Sequence, residues 1–310
     1  FVTTGFMSQA DGFLYALGTA DGLLLGERFR LAGTYDVAGR KFITLPSEDT
    51  IVNSVSLDFS YAVASIVSLG VTGNARDRRG AERDYTSLIG QGVVDFLPTE
   101  NFDVRFRFGA TRFLFWPRFR YSFSGPIGDV NARYRFDRRH SVIVSGSYNP
   151  RTYNANVNPS PDVPEPPEVR RFDPLFVIGA AYSFRGPFQL SIGYSYLDQT
   201  SNSYGETLRR HRLSVNAGFR LPAKFMLLAN GALQLTNYPD GIFLSPDLQV
   251  VEDDENSSNL TVKLVRPVHP HVDLDARYAL YVNVLPQTGA GRQTLLYFRN
   301  VFSIGATISF

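Results

Sequence analysis

Arginine recurs at every second position in three short stretches of this sequence. In "FDVRFRF" (102–108), "RFRYSFS" (118–124) and "VNARYRFD" (130–137), the arginines of each pair are separated by one aromatic residue. Successive side chains of a β-strand point to opposite faces, so these arginines are expected on the polar face of two neighbouring strands, with two more on another wall. The full set is Arg105, Arg107, Arg118, Arg120, Arg133, Arg135, Arg212 and Arg220.

Two functions fit this arginine ladder. Rings of basic side chains select anions in pores, so the ladder could form a basic constriction. Alternatively, it is a solvated wall, or one neutralised by nearby acids, since many such charges contribute only to structure. The candidate acidic partners are Asp36, Asp58, Asp103, Asp273 and Asp275. The sequence leaves both interpretations open.

Catalytic and metal-binding patterns are weak. The four histidines are dispersed: His140, His269 and His271 fall in expected turns and His211 lies among arginines. Because no nucleophile, base or ligand cluster can be assembled from them, we expect neither an enzyme nor a cofactor or metal. Nucleic-acid binding is not expected either, since 31 basic residues are balanced by 29 acidic ones.

Two expected loops carry unusual compositions. The run "EDDEN" (252–256) offers hard oxygen ligands for Ca²⁺, but it lacks the regular spacing of a calcium loop and reads more simply as a solvated tip. The proline-rich stretch 156–174 is extended, and it fits a pore constriction, a partner surface or a plain exposed loop.

Alternation of apolar and polar residues extends over nearly the whole chain. In "NSVSLDFSY" (53–61), four apolar residues alternate with Ser54, Ser56, Asp58 and Ser60. Comparable segments recur up to the last residue, and no helical periodicity of similar strength appears. The sequence therefore predicts an all-β protein.

The connections between these segments alternate between tight and long. Tight turns are expected near 62–65, 97–101, 137–140, 185–187, 221–224 and 266–270. Longer polar connections are expected at 38–49, 76–83, 150–172, 199–206, 238–256 and 285–292. This pattern, with aromatic residues near strand ends, is typical of a transmembrane antiparallel up-and-down barrel whose apolar face contacts lipid.

A count of segments gives 14 strands, and a hairpin within residues 1–20 would give 16. We favour 16, because single-chain bacterial barrels have even numbers. Residues 1–20 could instead be a periplasmic or plug segment, and residues 1–310 are expected to form one barrel domain. The apolar parity of segment 102–124 shifts near residues 109–113, so a bulge at Gly109 or an extended strand is expected there.

The chain ends on "SIGATISF" (303–310). This segment resembles the C-terminal β-signal that directs Gram-negative outer-membrane proteins to their barrel-assembly machinery. The matching residues are Ser303, Gly305, Ile308 and Phe310. The resemblance implies an integral multi-pass barrel in the bacterial outer membrane, in contact with lipid and lipopolysaccharide, that meets the assembly machinery during biogenesis.

Two functions suit such a barrel. The first is a porin-like channel for small, in particular anionic, solutes, because barrels of about 16 strands enclose an aqueous lumen. The second is a structural anchor within a multi-protein envelope machine for secretion, polysaccharide export or surface motility, with other envelope proteins as partners.

Overall fold

The structure, a computed structural model, describes residues 12–44, 46, 49–80, 84–116, 119–158, 168–239, 258–286 and 294–308. These residues form fifteen strands and two short 3-10 turns, at Phe119–Tyr121 and Pro222–Lys224. The strands are β1 (Phe13–Leu25), β2 (Phe29–Phe42), β3 (Thr50–Ala64), β4 (Val67–Arg79), β5 (Asp84–Thr99), β6 (Phe102–Trp116), β7 (Phe123–Arg135), β8 (His140–Asn156), β9 (Arg170–Arg185), β10 (Phe188–Gln199), β11 (Leu208–Arg220), β12 (Met226–Asn237), β13 (Ser258–His269), β14 (Val272–Pro286) and β15 (Thr294–Ile308). The all-β prediction is confirmed.

The strand count differs from both predicted numbers. Residues 13–25 form one strand where a hairpin within residues 1–20 was expected, and residues 1–11 lie outside the described part of the chain. The other fourteen strands correspond to the fourteen predicted segments. The described residues thus contain 15 strands, between the predicted number of about 16 and its alternative of 14.

All fifteen strands belong to one antiparallel sheet in which each strand pairs with its sequence neighbours. Because the count is odd, β1 and β15 run in the same direction. No pairing between these two strands is present in the described ranges. The described residues also contain no helix long and apolar enough to span a membrane.

The connections confirm the predicted alternation in length. Those at one end of the sheet have two to five residues: 26–28, 65–66, 100–101, 136–139, 186–187, 221–225 and 270–271. Those at the other end have four to twenty: 43–49, 80–83, 117–122, 157–169, 200–207, 238–257 and 287–293. In transmembrane barrels the long connections are extracellular and the short turns periplasmic, so we refer to an extracellular and a periplasmic end.

The sheet is inverted relative to a soluble protein. Strand pairing places Phe106, Val130, Ile178, Ile192 and Leu213 on one face, the apolar face, and all are at least 37% exposed. The thirteen buried residues of the described strands all lie on the opposite, polar face. They are Tyr85, Gln91, Val93, Thr111, Phe115, Asn149, Tyr153, Arg171, Asp173, Leu175, Gln199, Ala232 and Ala279. The polar face is therefore the concave interior, and the apolar face is the surface suited to lipid.

Strand β6 does not contain the predicted bulge. Its register with β5 and β7 is continuous through Gly109, so the parity of its faces never shifts. A Cβ atom at Gly109 would lie 1.9 Å from the carbonyl oxygen of Gly90, which explains the glycine by close backbone approach. The apparent shift arises because Phe113 and Phe115 occupy the interior face.

Three prolines form a row across the middle of the sheet. Pro150 pairs with Pro174, and Pro126 falls opposite Pro150 in the register set by the flanking pairs. Proline has no N–H to donate, so its presence in central strands is unusual. Accordingly, the β7–β8 pairing lapses between Ser124 and Gly128, and a Cβ atom at Gly125 would lie 1.8 Å from the Pro150 carbonyl oxygen.

Candidate functional site: the charged interior face

Three of the predicted ladder arginines are paired with carboxylates on the interior face. Arg105 donates from Nε and Nη2 to both oxygens of Asp95, at 2.6 and 3.0 Å. Arg135 lies 2.6 Å from Asp103. Arg107 lies 3.7 Å from Asp129, which also accepts a 2.6 Å hydrogen bond from Gln91 on β5, two strands away from β7.

The remaining ladder residues are dispersed. Arg133 is on the interior face of β7 and is exposed, whereas Arg212 is the fifth residue of β11 and Arg220 is its last. Arg120 was predicted on a strand, but it lies in the 3-10 turn Phe119–Tyr121, where it donates to the hydroxyl of Tyr121. Arg118 lies outside the described residues. The eight arginines therefore do not form one ring.

The interior face as a whole is strongly basic. Its strand residues include nine acids: Asp21, Asp36, Asp58, Asp95, Asp103, Asp129, Asp173, Asp273 and Asp275. They include seventeen bases: Arg30, Arg40, Arg76, Arg78, Arg105, Arg107, Arg133, Arg135, Arg151, Arg171, Arg185, Arg210, Arg212, Arg220, Lys263, Arg277 and Arg299.

The excess of positive charge lies at the extracellular end. In the six residues of each strand nearest to its long connection, the interior face carries nine basic side chains and one acid, Asp173. We call these nine side chains the basic mouth: Arg40, Arg76, Arg78, Arg151, Arg171, Arg210, Arg212, Lys263 and Arg299. The rest of the interior strand face is balanced, with eight bases and eight acids. Most of the predicted ladder is in this balanced part.

A buried polar cluster orders the extracellular ends of β8 to β11. Asp173 is fully buried, and it accepts hydrogen bonds from Arg171 Nε at 2.9 Å and from Ser201 Oγ at 2.6 Å. Arg171 also contacts Glu206 at 2.8 Å and covers the ring of Tyr153, with its Cζ atom 4.2 Å from the ring centroid. Burial raises the pKa of Glu206, and this effect outweighs the lowering by the nearby Arg171 guanidinium.

An aromatic cluster lies beside the polar one on the same face. Phe113 stacks between Tyr85 and Phe123, with centroids 5.1 and 5.2 Å away, and Phe123 contacts Tyr153 at 5.1 Å. Phe115 extends the cluster toward the turn that follows β6, where the backbone N–H of Phe115 donates to Ser122 Oγ at 2.9 Å. These rings form a small apolar core against the inner wall, and they fix the β6–β7 connection there.

Two of the four histidines contact tyrosine hydroxyls. His140 lies 2.6 Å from the hydroxyl of Tyr182, and His211 lies 2.7 Å from that of Tyr194, both on the apolar face. Such amphipathic pairs suit the aromatic girdle at a membrane interface. His269 is the last residue of β13, and His271 lies in the short turn between β13 and β14, at the periplasmic end.

Three of the four residues of the C-terminal signal are described, all on β15. Ser303 pairs with Arg277 and Gly305 with Asp275 on the interior face, whereas Ile308 pairs with Val272 on the apolar face and is 58% exposed. Phe310 lies outside the described residues, as do the run 252–256 and residues 159–167 of the proline-rich stretch.

The fold is that of an outer-membrane β-barrel. Two structures of OmpT, an outer membrane protein of Vibrio cholerae, superimpose with a TM-score of 0.50 each. The in-vitro folded form is 11% identical, and the match covers 96% of both chains. The membrane-expressed form is 10% identical, and the match covers 93% of this chain and 99% of that one. A bacterial polysaccharide outer membrane secretin gives 0.48 at 11% identity, covering 96% and 91%.

No protein-family model and no curated protein matches the sequence. The structural likeness, the exposed apolar face and the alternating connections agree on one class, an integral barrel of the bacterial outer membrane.

Sequence reasoning missed most of the basic mouth. Of its nine members, only Arg212 was predicted. Arg76 with Arg78, and Arg210 with Arg212, show the same two-residue spacing as the ladder, so this signal was present in the sequence. Arg40, Arg151 and Arg299 carry no such signal, because only the strand register brings them to the same end of the sheet.

Proposed function

We propose that this protein is an outer-membrane channel for small anionic solutes. The observation that carries the proposal is the basic mouth, which places nine cationic side chains and one carboxylate at the extracellular end of the interior strand face. Two of the nine are paired with acids, Arg171 with Asp173 and Glu206, and Lys263 with Asp275. A rim of fixed positive charge raises the local concentration of anions and speeds their entry. The exposed, charge-balanced wall beneath it is compatible with a water-filled path.

Anion preference is thus expected to arise at the mouth rather than in the predicted ladder. Arg105, Arg107 and Arg135 each have a carboxylate partner, which cancels most of their field. Arg76, Arg78 and Arg210 belong to the basic mouth, where bases outnumber acids among the interior strand residues of the described part of the chain. Among the interior strand residues, the mouth is therefore the part with an excess of positive charge.

The test is conductance of the purified barrel in planar bilayers under a salt gradient. Stable steps with a reversal potential on the anion side are expected, and the triple variant Arg76→Gln, Arg78→Gln, Arg210→Gln should move that potential toward zero. Arg79→Gln is the matched control, because Arg79 is next in sequence but on the apolar face.

Two outcomes would reject the proposal. An unchanged reversal potential in the triple variant would show that the basic mouth does not determine the anion preference. The absence of any conductance from a correctly folded barrel would instead favour the structural anchor of an envelope machine, and co-purification with other envelope proteins would then be the next measurement.

A further inference from the structure

Arg112 is a charged residue on the apolar face of the sheet. It pairs with Leu88 on β5 and Ser124 on β7, which places it on the apolar face, where it is exposed. Other charged residues of this face in the described strands lie within four residues of a strand end, whereas Arg112 is the fifth residue from the extracellular end of β6. It is therefore deeper in the membrane than Trp116, by about 10 Å along the membrane normal for a strand tilted by about 40°.

The charge of Arg112 is not neutralised within the described part of the chain, where Arg112 has no hydrogen-bond or ion-pair partner. A guanidinium facing the hydrocarbon region is unfavourable, and it becomes tolerable when it reaches a polar or anionic group near the interface. An anionic group of a bound lipid can serve as that partner.

The surroundings of Arg112 provide further donors. The strand register places Arg112, Ser124 and Thr152 in one row across β6, β7 and β8, all on the apolar face. Asn154 lies one step closer to the extracellular end on the same face, and its amide is held by the Phe119 carbonyl oxygen at 3.4 Å. A guanidinium beside a hydroxyl group, here those of Arg112 and Ser124, is a donor set suited to a phosphate group.

A cavity opens beside this row. It has a volume of about 440 Å³, and Arg112 and Ser124 line it together with Leu88, Gly90, Leu114 and Phe119. Its lower part is shallow because Gly90 and Ala110, which also line it, form the next row of the sheet and project little from it. The site thus joins a cationic upper part to an apolar lower part.

We propose that this cavity binds a phosphate-bearing lipid of the outer leaflet, with the phosphate on Arg112 and Ser124. The acyl chain lies along the shallow row of Gly90 and Ala110, directed toward the membrane centre. A free phosphate would satisfy only the upper part, so the apolar lower part favours a lipid as the occupant. The inference concerns the outer wall and does not depend on conduction through the interior.

Binding of detergent-solubilised lipid A to the purified barrel, followed by native mass spectrometry, tests the site. Diphosphoryl lipid A should bind, and Arg112→Gln should weaken it about tenfold or more, as expected for loss of a charge-assisted interaction. Lys41→Gln is the control, because Lys41 is also exposed on the apolar face near the extracellular end but does not line this cavity. Arg112→Lys should retain part of the binding.

Three outcomes would overturn the assignment: unchanged affinity in Arg112→Gln, equal binding of dephosphorylated lipid A, or displacement of the lipid by inorganic phosphate at similar concentration. If Arg112→Gln does not fold, Ser124→Ala carries the test, since it removes a donor without touching the charge and should weaken binding severalfold.

Discussion

Arg105 and Asp95 face each other directly across β5 and β6, and the guanidinium holds both carboxylate oxygens, at 2.6 and 3.0 Å. The Arg105 side chain is 46% exposed and that of Asp95 is 17% exposed. Because the charges of Arg105 and Asp95 cancel, this pair adds no net charge to the interior wall, although Arg105 belongs to the most regular arginine motif of the sequence. Two of the other ladder arginines have partners of the same kind.

Asp95→Asn should increase anion preference, because it leaves the Arg105 charge without its partner. The shift in reversal potential should be larger at low salt, where screening is weak. Asp77→Asn is the control, since Asp77 is paired with Arg79 on the apolar face, away from the interior. Equal shifts in the two variants would show that the interior wall does not sense this charge.

Asp173→Ala should destabilise the extracellular ends of β8 to β11. The substitution leaves Arg171 buried without its main partner, and breaking such a pair typically costs about 3–5 kcal/mol. Unfolding in detergent and limited proteolysis within residues 200–207 provide the measurement. Asp198→Ala should cost less than about 1 kcal/mol, because its ion pair with Arg209 is solvent-exposed. Similar losses in both would refute a special role for the buried cluster.

Phe115→Ala should loosen the β6–β7 connection. Phe115 is only 4% exposed, so truncation leaves a cavity against the inner wall, with a loss of about 3–5 kcal/mol. Phe108→Ala is the matched control on the same strand, because its ring is 62% exposed on the apolar face and lipid can fill its place. Thermal unfolding of both variants in one detergent gives the comparison, and a larger loss at Phe108 would contradict the interior assignment.

Glu206 should make the extracellular cluster sensitive to pH. Its pKa in the folded protein is raised above its ordinary value of 4.5 because of burial. A raised pKa means that the protonated carboxyl stabilises the fold at low pH, and that this contribution is lost as pH rises through the folded pKa. The stability of the wild type relative to Glu206→Gln should therefore fall from pH 4 upward, as measured by thermal unfolding. A constant difference would exclude this titration.

The alternation of apolar and polar residues within each segment was sufficient to predict the fold, but it was not sufficient to predict the arrangement of charges at the site. Each alternating segment, such as 53–61, specifies a strand without reference to its neighbours, and the lengths of the connections specify the ends of the barrel. The pairing of Arg105 with Asp95, by contrast, depends on the register between β5 and β6. The basic mouth depends on the ends of at least seven strands coming together, which no local window contains. The faces of β6 were misread because Phe113 and Phe115 are apolar residues on an interior face.

The proline row lies where the hydrogen bonding between two strands of the wall is interrupted. Three adjacent strands place Pro126, Pro150 and Pro174 side by side, and the β7–β8 ladder lapses at this level. Hydrogen bonds between neighbouring strands are what keep a barrel circular under lateral pressure from the bilayer. The β7–β8 ladder lacks these bonds only between Ser124 and Gly128, so a change in the cross-section of the barrel is expected to begin between these two strands.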